Sequence, residues 1–224
     1  MSTQKARFRG GEADAWYRRN GPYLADPAEA IAADPVVQLF RNGDGPQATR
    51  ILEIGAGVGW RLAWLNQTLG ASAAGIEPSA DAVREGRRAY PELDLHVGTA
   101  EKLPFEAGSF DLVIYGFCLY LCDPEDLFVI ASEADRVLMD KGHILIYDFY
   151  ADEPYRRAYS HAEGVFSYKM DFSALFRWHP AYKVVSHRIT PHHGGSPDNP
   201  DDRTAVTVLK KDLAAAFGAD AMAR

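Results

Sequence analysis

The chain has 224 residues, 47% of them hydrophobic and 25% charged, with a formal net charge of −7. That length suits one well-buried α/β domain and is short for two. Lysine and arginine form no concentrated block, which argues against a nucleic-acid partner, since that needs positive charge to displace counterions. No apolar run approaches the ~20 residues that cross a bilayer, and the opening MSTQKARFRGGEADAW is charged where a signal peptide needs its apolar core. No membrane partner and a cytoplasmic location are therefore expected.

In chain order, Gly11 to Phe40 reads as one or two helices broken near Gly21-Pro22 and Pro35, with Asp26-Pro27 as a start signal. After the turn-rich NGDGPQ, the β-branched run TRILEIG predicts a buried strand, and Leu62, Leu65 and Leu69 predict a helix over Trp60 to Leu69. ASAAGIEPS gives a strand, Ala80 to Tyr90 a helix and Leu93 to Val97 a strand. FDLVIYGFCLYL is a strand running into a loop, with Asp111 ordering its entry. Asp123-Pro124 is read as the cap of a helix reaching about Met139, and KGHILIYDFY as a fifth strand. Strands alternating with helices of this length indicate a mostly parallel sheet with helices on both faces, which binds ligands at the carboxyl ends of its strands.

From Ala151 the rhythm changes. Residues 151–182 are rich in Tyr, Phe and His with weak periodicity, and read as an insertion over the sheet. KVVSHRIT and RTAVTVLKK, joined by PHHGGSPDNPDD with no helix between them, predict an antiparallel edge hairpin. Cys118 and Cys122 lie in the aromatic stretch FCLYLC and are expected to be buried free thiols. Neither they nor the His192-His193 pair has the ligand number of a metal site, so no metal is expected.

The stretch ILEIGAGVGWRL carries the chemistry. A nicotinamide loop reads G-x-G-x-x-G with an acid about 20 residues on. Gly55 and Gly57 fit, but Trp60 stands where the third glycine would allow close helix–strand packing. Glu53, two residues before Gly55, would set like charge beside a pyrophosphate. Beside a sulfonium and an ammonium group the same acid is favourable.

The motif EIGAGVG, followed by GIEPS with Glu77 22 residues after Gly55, resembles the class I S-adenosylmethionine-dependent methyltransferases. HVGTAEKLPFEAGSFDLVIYGF and EADRVLMDKGHILIYDF continue that resemblance, which spans roughly Thr49 to Phe149. It implies a Rossmann-like, mostly parallel seven-stranded sheet with an antiparallel edge hairpin, in one domain over residues 1–224. Residues 1–48 would form a helical lid, 49–150 the cofactor core, 151–182 the substrate-side insertion, and 183–224 the edge hairpin and tail. It also implies S-adenosylmethionine as cofactor, with S-adenosylhomocysteine as product. Glu53, Gly55, Ala56, Gly57, Glu77, Pro78, Thr99, Ala100, Glu101 and Tyr115 are the implied contacts, with Glu77 on the ribose hydroxyls and Tyr115 at the methyl site. Thr99 departs from the family pattern, which has an aspartate there, so adenine is left to backbone groups around Ala100 and Glu101.

The acceptor side is less legible. Methyl transfer is an in-line displacement in which the protein aligns the acceptor and excludes water. In the insertion, His161 is the first candidate general base because histidine titrates near neutrality, Tyr168 is a second catalytic candidate, and Asp171 lies nearby. A purely structural histidine on the insertion is the favoured alternative for His161. Trp16, Tyr17 and Arg18 read either as a lid or as an ordinary amphipathic face. The expected activity is methyl transfer to a small molecule, a sugar, nucleotide sugar or secondary metabolite, as in polysaccharide or secondary-metabolite biosynthesis, by a monomer or homodimer. A nicotinamide-dependent oxidoreductase and a non-catalytic S-adenosylmethionine-binding protein are the alternatives.

Overall fold

The computed structural model describes residues 4–21, 27–192, 195–196 and 198–217. The N-terminal segment is more broken than expected. Helix α1 (Gln4–Arg7) passes through a π-helical turn (Phe8–Glu12) into α2 (Ala13–Asn20), and Gly11 bends the turn with a φ of 125°. Then come α3 (Pro27–Ala33) and α4 (Pro35–Arg41). Asp34 caps α4 by accepting from the Val37 amide at 2.8 Å, with Pro35 preset for the first helical position. Pro22 and Asp26, read as break and start signals, lie outside the described residues.

The core follows the expected alternation: β1 (Arg50–Ile54), α5 (Trp60–Leu69), β2 (Ser72–Glu77), α6 (Ala80–Ala89), β3 (Asp94–Val97) and β4 (Phe110–Gly116). Helix α7 (Leu127–Val137) leads into β5 (Leu138–Phe149). Asp123 does not cap the helix after it. Its carboxylate accepts from the amides of Gln4 and Lys5, both at 3.1 Å, and so holds the start of α1. Asp111 does order a strand entry, accepting from the amides of Thr49 and Arg50 and tying β1 to β4.

The region from 151 to 182 contains a small hairpin, β6 (Tyr155–Ala158) with β7 (Phe166–Lys169), and a short helix α8 (Ala174–Arg177). The late strands are β8 (Tyr182–Pro191) and β9 (Arg203–Lys211), followed by α9 (Leu213–Ala216).

Seven strands form one sheet in the order β3-β2-β1-β4-β5-β9-β8. The first five are parallel, and β9 is antiparallel to both its neighbours. β9 sits inside because RTAVTVL is buried nearly throughout, whereas β8 is mostly exposed and takes the edge. One face of the sheet packs Leu52, Val113 and Tyr115 against α7 and α8 through Ile130 and Phe176. The other packs Ile51, Leu112 and Ile114 against α4, α5 and α6 through Leu39, Leu62 and Val83. The chain leaves β1 toward β2 on one side and has β4 on the other, so the strand order reverses at the carboxyl ends of β1 and β4. That switch point is where an open α/β sheet leaves a crevice.

Candidate cofactor site at the switch point

Glu53 is the penultimate residue of β1 and is wholly buried. Side chains alternate along a strand, so Glu53 points to the α5 face, opposite Leu52 and Ile54. There its Oε1 is hydrogen-bonded by Arg61 Nη1. Arg61 also binds Asp34, through Nη2 to Oδ2 at 2.7 Å and Nε to Oδ1 at 3.1 Å. One buried cation thus serves two buried carboxylates, and the second oxygen of Glu53, Oε2, is buried without a hydrogen-bond partner among the described residues. Burial pushes the Glu53 carboxyl up to about 7, against the pull of Arg61. The neighbouring Gly116 admits no side chain, because a Cβ there would collide with the Glu53 carboxylate.

Above Glu53 the chain turns through Gly55, Ala56 and Gly57. Gly55 has a φ of 80°, and a Cβ on it would lie 2.7 Å from Cys118 Cβ, so both conformation and space require glycine. Glu77, at the end of β2, faces the same turn. Its Oε2 accepts from the Gly57 amide at 3.0 Å and its Oε1 from Ser79 at 2.8 Å. Burial pushes this carboxyl up to about 7 as well. Pro78 follows on the rim, half-buried. After β3, Ala100 is buried against the core and Glu101 lies 3.8 Å from Lys5 Nζ, with its own Oε2 buried and without a hydrogen-bond partner among the described residues. Thr99 is half-buried, its carbonyl accepting from Lys102 at 3.4 Å.

Tyr115 is a correction. Its position, paired with Ile54 at the end of β4, is as expected, but its side chain is on the α7 face. It is buried, and its hydroxyl donates to the Ile130 carbonyl at 3.1 Å. The side chain therefore serves the core and does not line the glycine turn.

The residue that emerges at this edge is Phe117, which has a left-handed φ of 66°. A bulky side chain pays for that conformation and keeps it where the surroundings over-determine it. Its ring centroid lies 5.1 Å from Tyr120, 5.1 Å from Tyr147, 4.8 Å from Phe149 and 5.3 Å from His192, the last nearly parallel at 7°. Asp148 stiffens this aromatic shelf from below, accepting from the amides of Leu119 at 2.7 Å and Phe149 at 2.8 Å. Burial pushes its carboxyl up to about 7.

The N-terminal helices and the insertion meet over this edge. Gln4 is buried between the Leu121 and Phe166 carbonyls, and Arg19 reaches the Tyr159 hydroxyl at 3.1 Å. Asp14 accepts from Ser79 Oγ at 2.6 Å, just after Glu77. Tyr17 binds Glu85 at 2.7 Å and Arg18 binds Asp81 at 2.8 Å, so both fasten α2 to α6.

His161 is exposed, with its ring 5.3 Å from Tyr159, and Tyr168 lies across the small hairpin from Arg156. Asp171 binds Ser173 and Arg177 within its own segment. None of the three is hydrogen-bonded to the glycine turn among the described residues. Cys118 and Cys122 are free and half-buried. His193 lies outside the described residues. Among the described residues no cluster of three or more candidate metal ligands occurs, and no helix is long and apolar enough to cross a membrane.

Sequence reasoning missed Asp34, Arg61, Phe117 and Asp148. Arg61 carries a signal: a cation in the first turn of a helix opposes the helix dipole, so an arginine there asks for a specific acid. Pro35 reads as a break between helices, but the bond between Asp34 and Arg61 joins residues distant in sequence. Phe117 is an ordinary hydrophobe until its backbone angle is known.

The sheet order and the acid-flanked glycine turn resemble those of the class I S-adenosylmethionine-dependent methyltransferases. Residues 52–146 match the family model described as a methyltransferase domain, and S-adenosylmethionine is the cofactor of that domain. A demethylmenaquinone methyltransferase of Chlorobaculum parvum is 33% identical over 99 residues, covering 44% of this chain and 40% of that protein. A probable phthiotriol/phenolphthiotriol dimycocerosates methyltransferase of Mycobacterium ulcerans is 36% identical over 102 residues, 44% of this chain and 39% of the relative. The chain thus spans about two fifths of the length of these curated relatives. Among solved structures, the Burkholderia thailandensis 1,6-didemethyltoxoflavin-N1-methyltransferase, with its substrate and S-adenosylhomocysteine bound, superposes with a TM-score of 0.70 at 17% identity. That likeness covers 93% of this chain and 89% of the other, and extends the fold beyond the matched domain.

Proposed function

We propose that the protein transfers a methyl group from S-adenosylmethionine to a small ring-bearing molecule. The observation that carries this reading is Glu53 Oε2, a wholly buried carboxylate oxygen with no partner among the described residues, beside a glycine turn and across from a second, half-buried acid, Glu77. A buried acid is costly unless a cation meets it. A nicotinamide dinucleotide brings phosphates to this turn; S-adenosylmethionine brings an ammonium group and a sulfonium. Glu53 would hold the ammonium. Glu77 would exchange its bond to the Gly57 amide for the ribose hydroxyls, and the segment Thr99, Ala100 and Glu101 would face the adenine.

The cofactor supplies an electrophilic methyl group, which needs an acceptor held in line and water kept out. The shelf around Phe117 offers flat apolar faces next to Gly116 and suits a planar ring better than a sugar, whose hydroxyls would go unmet there. Relatives named for demethylmenaquinone and for phthiotriol/phenolphthiotriol dimycocerosates support a quinone- or lipid-type acceptor over the sugar or nucleotide sugar expected above. The helices of residues 4–20 and the insertion would close the site, acting as the lid. Neither His161 nor Tyr168 is given a proton-transfer role in this reading.

Calorimetry with S-adenosylmethionine and with NADH tests it. Heat is expected with the first alone, and Glu77→Ala should weaken that binding at least tenfold, since charge-assisted hydrogen bonds contribute about 1.5–3 kcal/mol each. Binding of NADH but not of S-adenosylmethionine would sink the proposal. Incubating a cell extract with labelled cofactor then separates an enzyme from a binding protein: one new labelled metabolite should appear together with S-adenosylhomocysteine.

A further inference from the structure

The buried group Asp34, Arg61 and Glu53 goes beyond what holding a cofactor requires. Asp34 is 6% exposed, Arg61 8% and Glu53 0%. Burying three charged groups is expensive, and a fold keeps such a cluster only when every member is met. Two of the three are. Arg61 reaches both acids, and Asp34 accepts from Arg61 and from the Val37 amide. Arg61 also lies over the Trp60 ring, with Cζ 5.0 Å from the centroid, which fixes its plane from the side. Glu53 alone keeps an oxygen uncommitted. With Glu53 ionised the group carries one positive and two negative charges and is one positive charge short.

We infer that Arg61 and Asp34 are positioning residues, which act through Glu53 to aim its free oxygen at the ammonium group of the cofactor. This rests on the proposed function. Arg61 is not itself a clamp for the cofactor's carboxylate, because its guanidinium is already taken by Asp34 and Glu53. Asp34 belongs to the N-terminal segment, so that segment completes the cofactor site instead of merely covering it.

The charged and titratable groups around Glu53 on each packed element are few. Arg61 comes from α5, Asp34 from the turn before α4, Glu77 from the end of β2, Tyr147 from β5 and Cys118 from the turn after β4. Burial pushes the Tyr147 hydroxyl up to about 12 and the Cys118 thiol well above its ordinary value, so both are neutral at pH 7. Glu53 is also pushed up by burial, and Arg61 is the cation that opposes this. Removing Arg61 therefore raises the pH at which Glu53 can meet a cation.

The test compares S-adenosylhomocysteine with 5′-methylthioadenosine, which keeps the nucleoside and lacks the amino-acid end. Dissociation constants are measured by calorimetry from pH 6 to 9 for the unaltered protein, Arg61→Gln and Arg61→Lys. Arg61→Gln should weaken S-adenosylhomocysteine binding tenfold or more at pH 7 and move its pH midpoint upward, while 5′-methylthioadenosine binds as before. Arg61→Lys should recover part of the loss; where Arg61→Gln does not fold, it carries the comparison, with a smaller loss again confined to S-adenosylhomocysteine. Equal weakening of both ligands at every pH marks a structural role and overturns the inference. So does a folded Arg61→Gln that binds S-adenosylhomocysteine like the unaltered protein. Failure of the unaltered protein to bind either ligand instead overturns the proposed function, and this inference with it.

Discussion

Asp34 and Arg61 are joined by bonds of 2.7 Å and 3.1 Å in a place where both are buried, although 27 positions separate them. Breaking a buried pair from one side leaves the other charge uncompensated, at a cost of about 3–5 kcal/mol. Loss of an exposed helix cap costs about 1 kcal/mol. Asp34→Ala should therefore lower urea stability by several kcal/mol, well beyond its role at the start of α4. A loss near 1 kcal/mol would mean that the bond to Arg61 contributes little.

Tyr115 gives the opposite kind of prediction. Its hydroxyl reaches the Ile130 carbonyl inside the core and touches nothing at the glycine turn. Tyr115→Phe should cost about 1 kcal/mol, the usual net worth of one hydrogen bond, and leave affinity for S-adenosylhomocysteine unchanged. A variant of normal stability but weakened cofactor binding would return Tyr115 to the site.

These two residues mark how far the sequence could be read. The glycine turn, Glu53 and Glu77 were legible because a strand, a turn and a second strand place them within one local unit, where spacing is geometry. The alternation of strands and helices was legible for the same reason, as was the late hairpin. Tyr115 failed on a single parity: on a strand buried on both faces, hydrophobicity does not say which way a side chain points. Asp34 and Phe117 depend on contacts between distant segments and on a strained backbone angle, and neither has a local pattern. The insertion hid a hairpin because Tyr155–Ala158 and Phe166–Lys169 are only four residues each, too short for alternation to stand out.

Three acids, Glu53 and Asp148 buried and Glu77 half-buried, set the pH dependence of stability. Burial pushes Glu53, Glu77 and Asp148 up to about 7 from ordinary values of 4.5, 4.5 and 3.8. Between those limits the folded chain holds protons that the unfolded chain releases, so stability falls as pH rises from about 4 toward 7 and levels off above. His143, whose pKa burial lowers, opposes this with one proton. Carboxylates held low, such as Asp14 and Glu133, bonded to Ser79 and Arg136, lose their contribution only on the acid side. The urea midpoint without cofactor should be higher at pH 5.5 than at pH 8. A midpoint that climbs across that interval contradicts it.

Phe117 links the fold to the acceptor. Its left-handed backbone is a cost that glycine would relieve, whereas its ring is the hub of the aromatic shelf. Phe117→Gly separates the two, removing the ring without demanding a new backbone path. Because Gly116 and Glu53 lie on the cofactor side of this residue, S-adenosylhomocysteine affinity should change less than threefold. Methyl transfer to a ring-bearing acceptor found in the labelled-extract experiment should fall at least tenfold, mainly as a higher KM. Phe117→Leu should keep part of the activity, since it restores apolar contact without a flat face. If Phe117→Gly transfers methyl groups at the unaltered rate, the acceptor does not rest on this shelf, and the closed site must take it from the side of the small hairpin.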